Sequence, residues 1–153
     1  MSKTTQQPTP SDEPQDRLRH ARERSEKGIE HVASLAGMDL PAYRDLETFS
    51  DEIAINVSLH DLRSICDALA ITPQSLFQMG EADDTEARVS PEEFVKKLRE
   101  KLQQKRIPLS LFEDEVGFQI SECFDNPNAV MAWNVDCLRA VCAEIGVDWL
   151  TVL

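Results

Sequence analysis

Acid–base chemistry in this 153-residue chain would have to come from its run of carboxylates at 113–115 or from its histidines. Such catalysis needs a titratable group beside a positioned partner. The histidines, His20, His31 and His60, are scattered far from the carboxylates in sequence, and we expect them to face solvent. The sequence also contains no phosphate-cradling glycine loop and no metal-ligand spacing. It therefore predicts a protein that is not an enzyme and has no cofactor, catalytic or metal-binding residues.

Four cysteines are the other residues with chemical potential: Cys66, Cys123, Cys137 and Cys142. None of them stands in a CxxC pair, the spacing that metal and redox sites commonly use. Cys66 and Cys142 lie on the apolar sides of helical patterns, where a thiol packs as a small hydrophobic group. The sequence predicts buried, reduced thiols in a cytoplasmic protein.

A repeat supplies the clearest architectural signal. Residues 58–71 recur at 134–147, an offset of 76 residues without a gap. Both copies carry apolar residues at helical spacing, which predicts two related helical units in tandem. The matched positions are Leu59, Leu62, Ile65, Cys66 and Leu69 in the first copy and Val135, Leu138, Val141, Cys142 and Ile145 in the second.

Charge limits the partners of the chain. It has 28 acidic and 16 basic residues, so its net charge is −12. Such a charge repels a phosphate backbone unless basic groups are locally concentrated. The amino terminus is polar, and no apolar run has the length of a membrane span, so we expect neither a signal peptide nor a transmembrane helix.

Composition divides the chain into four segments. Residues 1–14 lack apolar periodicity and are predicted to be a disordered tail. Residues 15–80 form a first helical unit, residues 81–89 an acidic linker, and residues 90–153 a second helical unit. Since each unit is small, we expect the two to share part of a core. The predicted fold is all-α.

Local signals place the helices of the first unit. Charge pairs four residues apart predict a helix from Gln15, which Gly37 ends. A short helix over 40–47 and a loop over 48–57 come next, before the first repeated helix. A cap and a proline at its start predict a last helix over 72–80.

The second unit opens with the strongest local signal. Ser90 is a good N-cap, Pro91 suits the first helical position, and Glu93 completes a capping box. The helix over 91–105 carries its basic residues mostly toward the carboxyl end, where they complement the helix dipole. Two short helices follow, and then the second repeated helix. The sequence also allows an extended stretch before that helix.

Two segments of the second unit carry a family resemblance. The motif LSLFEDEVGF at 109–118 and the motif LRAVCAEIGV at 138–147 are similar to the phage-repressor (Xre/Cro-like, lambda-repressor-like) helix-turn-helix domains. Gly117 falls at the turn position of that family, and Leu138 follows 21 residues later, the family's own spacing. The resemblance covers residues 91–153 and implies an all-α DNA-binding scaffold.

The first unit matches the same pattern in shortened form. Residues 38–45 align with 107–114 at an offset of 69, whereas the repeated helices align at an offset of 76. Seven residues are therefore missing between Asp45 and Ser58. The alignment assigns them to the turn and part of the recognition helix.

One functional interpretation follows from the resemblance: a sequence-specific DNA-binding transcription regulator. The resemblance places a recognition segment at 119–127, which also contains Glu122 and Asp125, has no basic residue, and ends at a proline. Base contacts would come from Gln119 and Ser121, and phosphate contacts from basic side chains on other helices. Those basic candidates are Arg17, Arg19, Arg22, Arg24, Lys97 and Lys101. This hypothesis requires them to converge on one face beside Gln119 and Ser121.

The other interpretation, which we prefer, is a regulatory or adaptor protein that acts through protein–protein contacts with an unidentified partner. Ile120 and Phe124 are four residues apart and would form an apolar ridge with acidic flanks on a helix surface. Packing of both side chains into the core is the alternative. Met131 and Trp133 raise the same question, since such residues are common at interfaces and in cores. Neither interpretation involves a membrane or a small-molecule substrate.

Overall fold

The computed structural model describes residues 13–77 and 88–153, and every regular element in these ranges is a helix. The predicted all-α class is therefore confirmed. Most of the predicted tail at 1–14 and of the predicted linker at 81–89 lies outside the described residues. The residues that the structure describes contain no helix with the length and hydropathy of a membrane span.

The described part of the first half contains five α-helices and one 3₁₀ turn. They are α1 Pro14–Arg24, α2 Ile29–Leu35, α3 Leu40–Thr48, α4 Glu52–Ile55, α5 Leu59–Ala68 and the 3₁₀ turn Pro73–Leu76. The described part of the second half contains four α-helices and two 3₁₀ turns. They are α6 Pro91–Lys105, α7 Leu109–Val116, α8 Glu122–Asp125, the 3₁₀ turn Pro127–Ala132, α9 Val135–Ile145 and the 3₁₀ turn Trp149–Thr151.

Side-chain caps explain where three of the longer helices begin. Ser58 and Ser90 each accept the backbone N–H three residues later, at 3.1 and 3.2 Å, as the sequence predicts. Asn134 accepts the N–H of Cys137 at 2.8 Å. Each bond satisfies a backbone donor that has no partner within the helix.

Asn134 also joins the two halves, because its Nδ2 donates to the carbonyl of Ile55 at 2.9 Å. We expect Asn134→Ala to lower the free energy of unfolding by about 1–2 kcal/mol, since it removes a cap and a bond between the halves. Urea unfolding followed by circular dichroism measures this loss. Asn128→Ala, at an exposed position on a 3₁₀ turn, is the matched control and should change stability by less than about 0.5 kcal/mol.

Predicted and observed elements differ at four places. Where a helix is predicted over 72–80, the described residues up to Phe77 form the 3₁₀ turn Pro73–Leu76. The helix expected from Gln15 to Gly37 is interrupted between α1 and α2, where Glu26 adopts a left-handed φ of 56°. At this interruption, Ser25 Oγ donates to the carbonyl of Ala21 in the preceding turn. Lys27 Nζ donates to the carbonyl of Ala68 in α5, and this tertiary contact stabilises the break. The loop predicted at 48–57 contains α4. Where the sequence allows an extended stretch after α8, the chain forms the 3₁₀ turn Pro127–Ala132.

The core is continuous across the two halves. α1 packs on α3 and on the 3₁₀ turn Pro73–Leu76, whereas α6 packs on α8, α9 and the 3₁₀ turn Pro127–Ala132. The halves meet where α4 contacts α9 and where α5 contacts Pro127–Ala132. Within the second half, Phe94 and Trp133 pack edge to face in the same core, with ring centroids 5.8 Å apart. Burial of these shared apolar faces is the main force that holds the halves together.

Equivalent arginines tie each half to the end of the other. Arg63 of α5 donates to the carbonyl of Val152 at 2.8 Å. Arg139 of α9, 76 residues later, lies over the ring of Phe77, 5.3 Å from its centroid. Arg139 also lies 4.4 Å from the ring of Trp149, which itself packs edge to face on Phe77. The two halves thus exchange reciprocal contacts at their carboxyl-terminal ends.

The two halves differ in length mainly after their short helices, α4 and α8. α4 and α8 are both single turns, and each buries one side chain, Ile53 and Cys123. Three residues, 56–58, separate α4 from α5, whereas nine residues, 126–134, separate α8 from α9. Most of the extra length is the 3₁₀ turn, so the missing residues are not chiefly those of the turn and recognition helix to which the alignment assigned them.

Candidate functional site

An open apolar groove of about 690 Å³ lies between the carboxyl half of α6, the start of α7 and the end of α8. Apolar side chains form its floor, and all of them except the buried Leu102 remain partly accessible to solvent. Concave apolar surfaces with a few polar groups are the usual form of a binding site. The apolar lining residues are Leu102, Ile107, Pro108, Leu109 and Phe124, and the polar ones are Arg99, Gln103, Arg106 and Asp125.

A tight turn between α6 and α7 builds the floor of the groove. α6 ends at Arg106, which has a left-handed φ of 53°, and the N–H of Ile107 donates back to Leu102 at 3.2 Å. Pro108 is the N-cap of α7 and has an extended backbone, with φ of −61° and ψ of 144°. This path brings Leu102, Ile107 and Leu109 to the same side of the molecule.

Arg106 occupies a backbone position that favours glycine. The corresponding turn after α2 has Gly37 at a φ of 68°, and Met38 donates back to Ala33 in the same way. A side chain in the left-handed region costs about 1 kcal/mol, so an arginine here is locally less stable than a glycine. The arginine side chain is exposed at the rim of the groove.

Arg99 and Phe124 form one wall of the groove. The guanidinium carbon of Arg99 lies 5.4 Å from the ring centroid of Phe124, and its Nη2 donates to the carbonyl of Phe124 at 3.2 Å. The cation–π contact and the hydrogen bond attach α8 to α6. Phe124 remains half-buried, with part of its ring available to a ligand.

The rim of the groove is basic although the protein is acidic. Arg99 and Arg106 line it, and Lys96 is exposed three residues before Arg99, on the same face of α6. Among the described residues that line the groove, Asp125 alone carries a negative charge. The charge of this surface is therefore opposite in sign to the net charge of −12.

The four predicted protein-contact residues lie in different environments. Ile120 is 1% exposed, and Trp133 is buried against Phe94. Ile120 therefore packs into the core, which is one of the two predicted alternatives. Phe124 lines the groove, so the two side chains form no ridge on the surface. Met131 is half-buried on the 3₁₀ turn Pro127–Ala132.

Local geometry explains why the predicted ridge does not form. The segment that the resemblance aligns with a recognition helix contains only α8, which begins after Ile120. A carboxylate oxygen of Glu113 accepts the N–H of Ile120 at 2.8 Å and holds the chain in a non-helical path. Ile120 and Phe124 are consequently not on one helix face, so their spacing of four residues does not bring the two side chains together.

The predicted phosphate-contact residues on α1 are mostly engaged within the protein. Arg22 Nε donates to both carboxylate oxygens of Glu47, at 2.8 and 3.0 Å. Arg19 pairs with Asp16 at 2.7 Å, and Arg17 donates to the carbonyl of Leu76 at 3.2 Å. Arg17 also lines a separate cavity of about 560 Å³ beside α1, as does the exposed Arg24.

The remaining DNA-contact candidates lie elsewhere. Lys97 is exposed and Lys101 half-buried on α6, a helix that packs on the second half, whereas α1 packs on elements of the first half. Gln119 and Ser121 are exposed before α8. Gln119 lines a cleft of about 420 Å³ together with two carboxylates, those of Glu113 and Asp114. Gln119, one of the two predicted base-contact residues, thus lies in acidic surroundings.

Sequence reasoning missed the groove itself. Arg99, Arg106 and Leu109 are not among the predicted contact residues, because the sequence assigns the two arginines to the helix dipole or to phosphate and indicates no contact for Leu109. One sequence signal could have identified them. Arg99, Gln103 and Arg106 recur at spacings of four and three, which predicts a single polar edge beside the apolar Ile107.

All four cysteines are buried and free, as predicted. Burial raises the pKa of Cys66, Cys137 and Cys142 to about 12 and that of Cys123 to about 11. The three histidines are exposed. Within the described ranges, no group of three or more His, Cys, Asp or Glu side chains is arranged to hold a metal ion.

The buried thiols predict a stability that falls at alkaline pH. An unfolded thiol ionises near pH 8.5, whereas these thiols stay protonated in the folded chain up to about pH 11. The stability that these protonated thiols give to the folded chain is therefore fully present below about pH 8.5 and is lost as the pH rises toward 12. We expect about 1.4 kcal/mol of destabilisation per thiol by pH 9.5, measured by urea unfolding. Cys142→Ala should show a shallower decrease than the unchanged chain, and equal slopes would contradict the assignment.

Comparison of the chain with protein-family models, with curated proteins and with solved structures gave no match.

Proposed function

We propose that this chain is a non-enzymatic regulatory or adaptor protein that acts through protein–protein contact at the groove between α6, α7 and α8. One observation carries the proposal: an open groove of about 690 Å³ presents apolar side chains, including Leu109 and Phe124, to solvent. When a partner removes such apolar surface from water, the free energy of binding becomes more favourable. One of the predicted protein-contact residues, Phe124, also lines this groove and is partly exposed to solvent.

We further propose that the scaffold is a tandem of two degenerate repressor-like units. The capped helices α5 and α9 recur 76 residues apart, and the turns at Gly37 and Arg106 share the same backbone conformation and hydrogen bond. The reciprocal contacts of Arg63 and Arg139 agree with such a duplication. In this proposal the scaffold has been retained while its original contact segment has been reduced to the single turn of α8.

The alternative, a sequence-specific DNA-binding regulator, has less support. Major-groove recognition by this fold uses an exposed helix whose side chains reach base edges. Here the aligned segment contributes only α8, which carries Glu122 and Asp125 at its ends. Arg22, one of the proposed phosphate contacts, is bound to Glu47 instead. These features favour protein contact over DNA contact.

A pair of leucines on α7 allows a matched test of the groove. Leu109 lines the groove, whereas Leu111 is 49% exposed and is not among its lining residues. We expect Leu109→Asp to reduce co-purification of partner proteins at least about tenfold, because it replaces an apolar contact of the floor by a charged group whose removal from water on binding costs more than about 1.4 kcal/mol. Leu111→Asp should leave co-purification unchanged. Equal recovery of the same partners with both variants would contradict the role of the groove.

DNA binding can be tested directly with labelled mixed-sequence duplex DNA. We expect no anisotropy change up to high micromolar protein at about 50 mM salt. Micromolar binding with a steep salt dependence would instead support the DNA-binding regulator. In that case Lys97→Gln should reduce the salt dependence by about one counterion, whereas Leu109→Asp should not.

A further inference from the structure

We propose that the occupant of the groove is an amphipathic helix whose apolar face is flanked by carboxylates. The inference rests on the proposed function and adds the chemistry of the partner. It starts from the contrast between the chain as a whole, with 28 acidic and 16 basic residues, and the groove, where Arg99 and Arg106 face only Asp125 among the described lining residues. A local charge of opposite sign at an apolar surface favours a partner of complementary charge.

The form of the groove suits a helix better than an extended strand. Helices bound it on its sides, so no described sheet edge is available for strand addition. Its floor presents Leu102, Ile107 and Leu109, with the ring of Phe124 at one wall. A helix binds such a floor through apolar residues at spacings of three, four and seven.

The two arginines are placed to contact carboxylates at the edges of that helix. Arg99 is held by its contacts with the ring and the carbonyl of Phe124, which use Nη2 and one face of the guanidinium. A guanidinium has five N–H donors, so further donors remain for a carboxylate. Because Arg99 is already positioned, less side-chain entropy is lost when it pairs.

Arg106 supplies the second guanidinium of the rim. It is exposed and lines the groove, although its left-handed backbone favours glycine. Glu26 and Ala70 share that backbone without lining the groove, so it is the position of the side chain, and not its φ, that places Arg106 beside a partner. Its N–H donors can pair with an anionic group there.

Two synthetic peptides can test the charge preference. Both are 18-residue fluorescein-labelled helices with the same leucine and phenylalanine face, flanked by glutamate in one and by lysine in the other. We expect the full chain to bind the glutamate peptide at least about tenfold more tightly at about 150 mM salt in fluorescence anisotropy. The preference should decrease at about 500 mM salt, because rim charges are screened.

Substitutions on α6 locate the binding surface. Arg99→Gln and Arg106→Gly should each weaken binding of the glutamate peptide about three- to tenfold and leave the lysine peptide unaffected or bound more tightly. Arg106→Gly is expected to fold at least as well as the unchanged chain, because glycine suits its positive φ. Lys97→Gln is the matched control, since Lys97 is exposed and its helical position is roughly opposite to Arg99.

The outcomes separate this inference from the proposed function. Tighter binding of the lysine peptide, or equal binding of the two, overturns the acidic helix but leaves an apolar docking groove. Binding of neither peptide, together with unchanged co-purification for Leu109→Asp, overturns both. If the chain self-associates and Arg106→Gly abolishes the association, a second copy is the occupant and the helical partner is overturned. Binding of duplex DNA that Arg99→Gln removes would assign the arginines to phosphate and also overturn the inference.

Discussion

A fragment of residues 88–153 is expected to show no cooperative unfolding transition on its own, although the full chain should unfold cooperatively. The reason is the shared core: α4 packs on α9, and α5 packs on the 3₁₀ turn Pro127–Ala132. Removal of the first half exposes these apolar faces to water. A chain of about 60 residues buries only about 60% of its unfolded surface and is marginal even when its core is complete.

Hydrogen bonds between the halves would be lost together with the apolar contacts. In the full chain, Gln74 Nε2 donates to the carbonyls of Leu150 and Leu153 at 2.9 and 3.3 Å, so the carboxyl-terminal end is held by the first half. The N–H of Leu59 donates to the carbonyl of Trp133 at 2.8 Å. The expected loss is comparable with the entire stability of a small protein, about 5–15 kcal/mol.

Thermal and urea unfolding of the fragment, followed by circular dichroism, measure this effect. A mixture of the fragments 13–77 and 88–153 is the informative control, because it should regain helicity if the halves complete each other's core. The prediction fails if the fragment 88–153 melts cooperatively within a few degrees of the full chain. That result would mean that each half contains a sufficient core of its own.

The second large effect is expected from the ion pair between Arg22 and Glu47. Arg22 is 15% exposed and Glu47 is 5% exposed, and two hydrogen bonds of 2.8 and 3.0 Å join them. Arg22 Nη1 also donates to the carbonyl of Lys27 at 3.1 Å. Arg22→Met leaves the carboxylate of Glu47 buried without its partner, so we expect a loss of about 3–5 kcal/mol in the free energy of unfolding.

Two further variants make this prediction specific. The double variant Arg22→Met/Glu47→Leu should regain most of the loss, because it replaces a buried ion pair by apolar contact. Arg19→Met is the matched control: Arg19 pairs with Asp16 on the same helix but is 42% exposed, and its loss should stay below about 1 kcal/mol. Equal effects of Arg22→Met and Arg19→Met in urea unfolding would show that burial adds nothing to the Arg22 pair.

The ion pair also bears on the DNA-binding alternative. Arg22 could contact phosphate only by leaving Glu47, and the free energy of the buried pair would oppose that movement. A loss of stability in Arg22→Met with unchanged ligand binding would therefore identify Arg22 as a structural residue. The sequence alone shows a row of arginines on one helix and gives no sign that one of them has a buried partner.

Local features of the fold were predictable because short-range physics decides them. Ser90 and Pro91 define the start of α6, and the observed range Pro91–Lys105 agrees with the prediction. Gly117 ends α7 with a left-handed φ of 80°, as a helix-terminating glycine should. The break between α1 and α2 was not predictable in this way, since it depends on contacts such as that of Lys27 with Ala68 of α5.

By itself, the sequence determined the all-α class, the repeated helices α5 and α9, the cap Ser58 of α5 and the burial of the four cysteines. Each of these depends on residues within a few positions of one another or on apolar periodicity along one helix. Only the tertiary structure decided that Ile120 is core while Phe124 lines a groove, that Arg22 is paired with Glu47, and that Arg99 and Arg106 border Leu109. These outcomes depend on turns and on packing between helices, where contacts distant in sequence outweigh local preference.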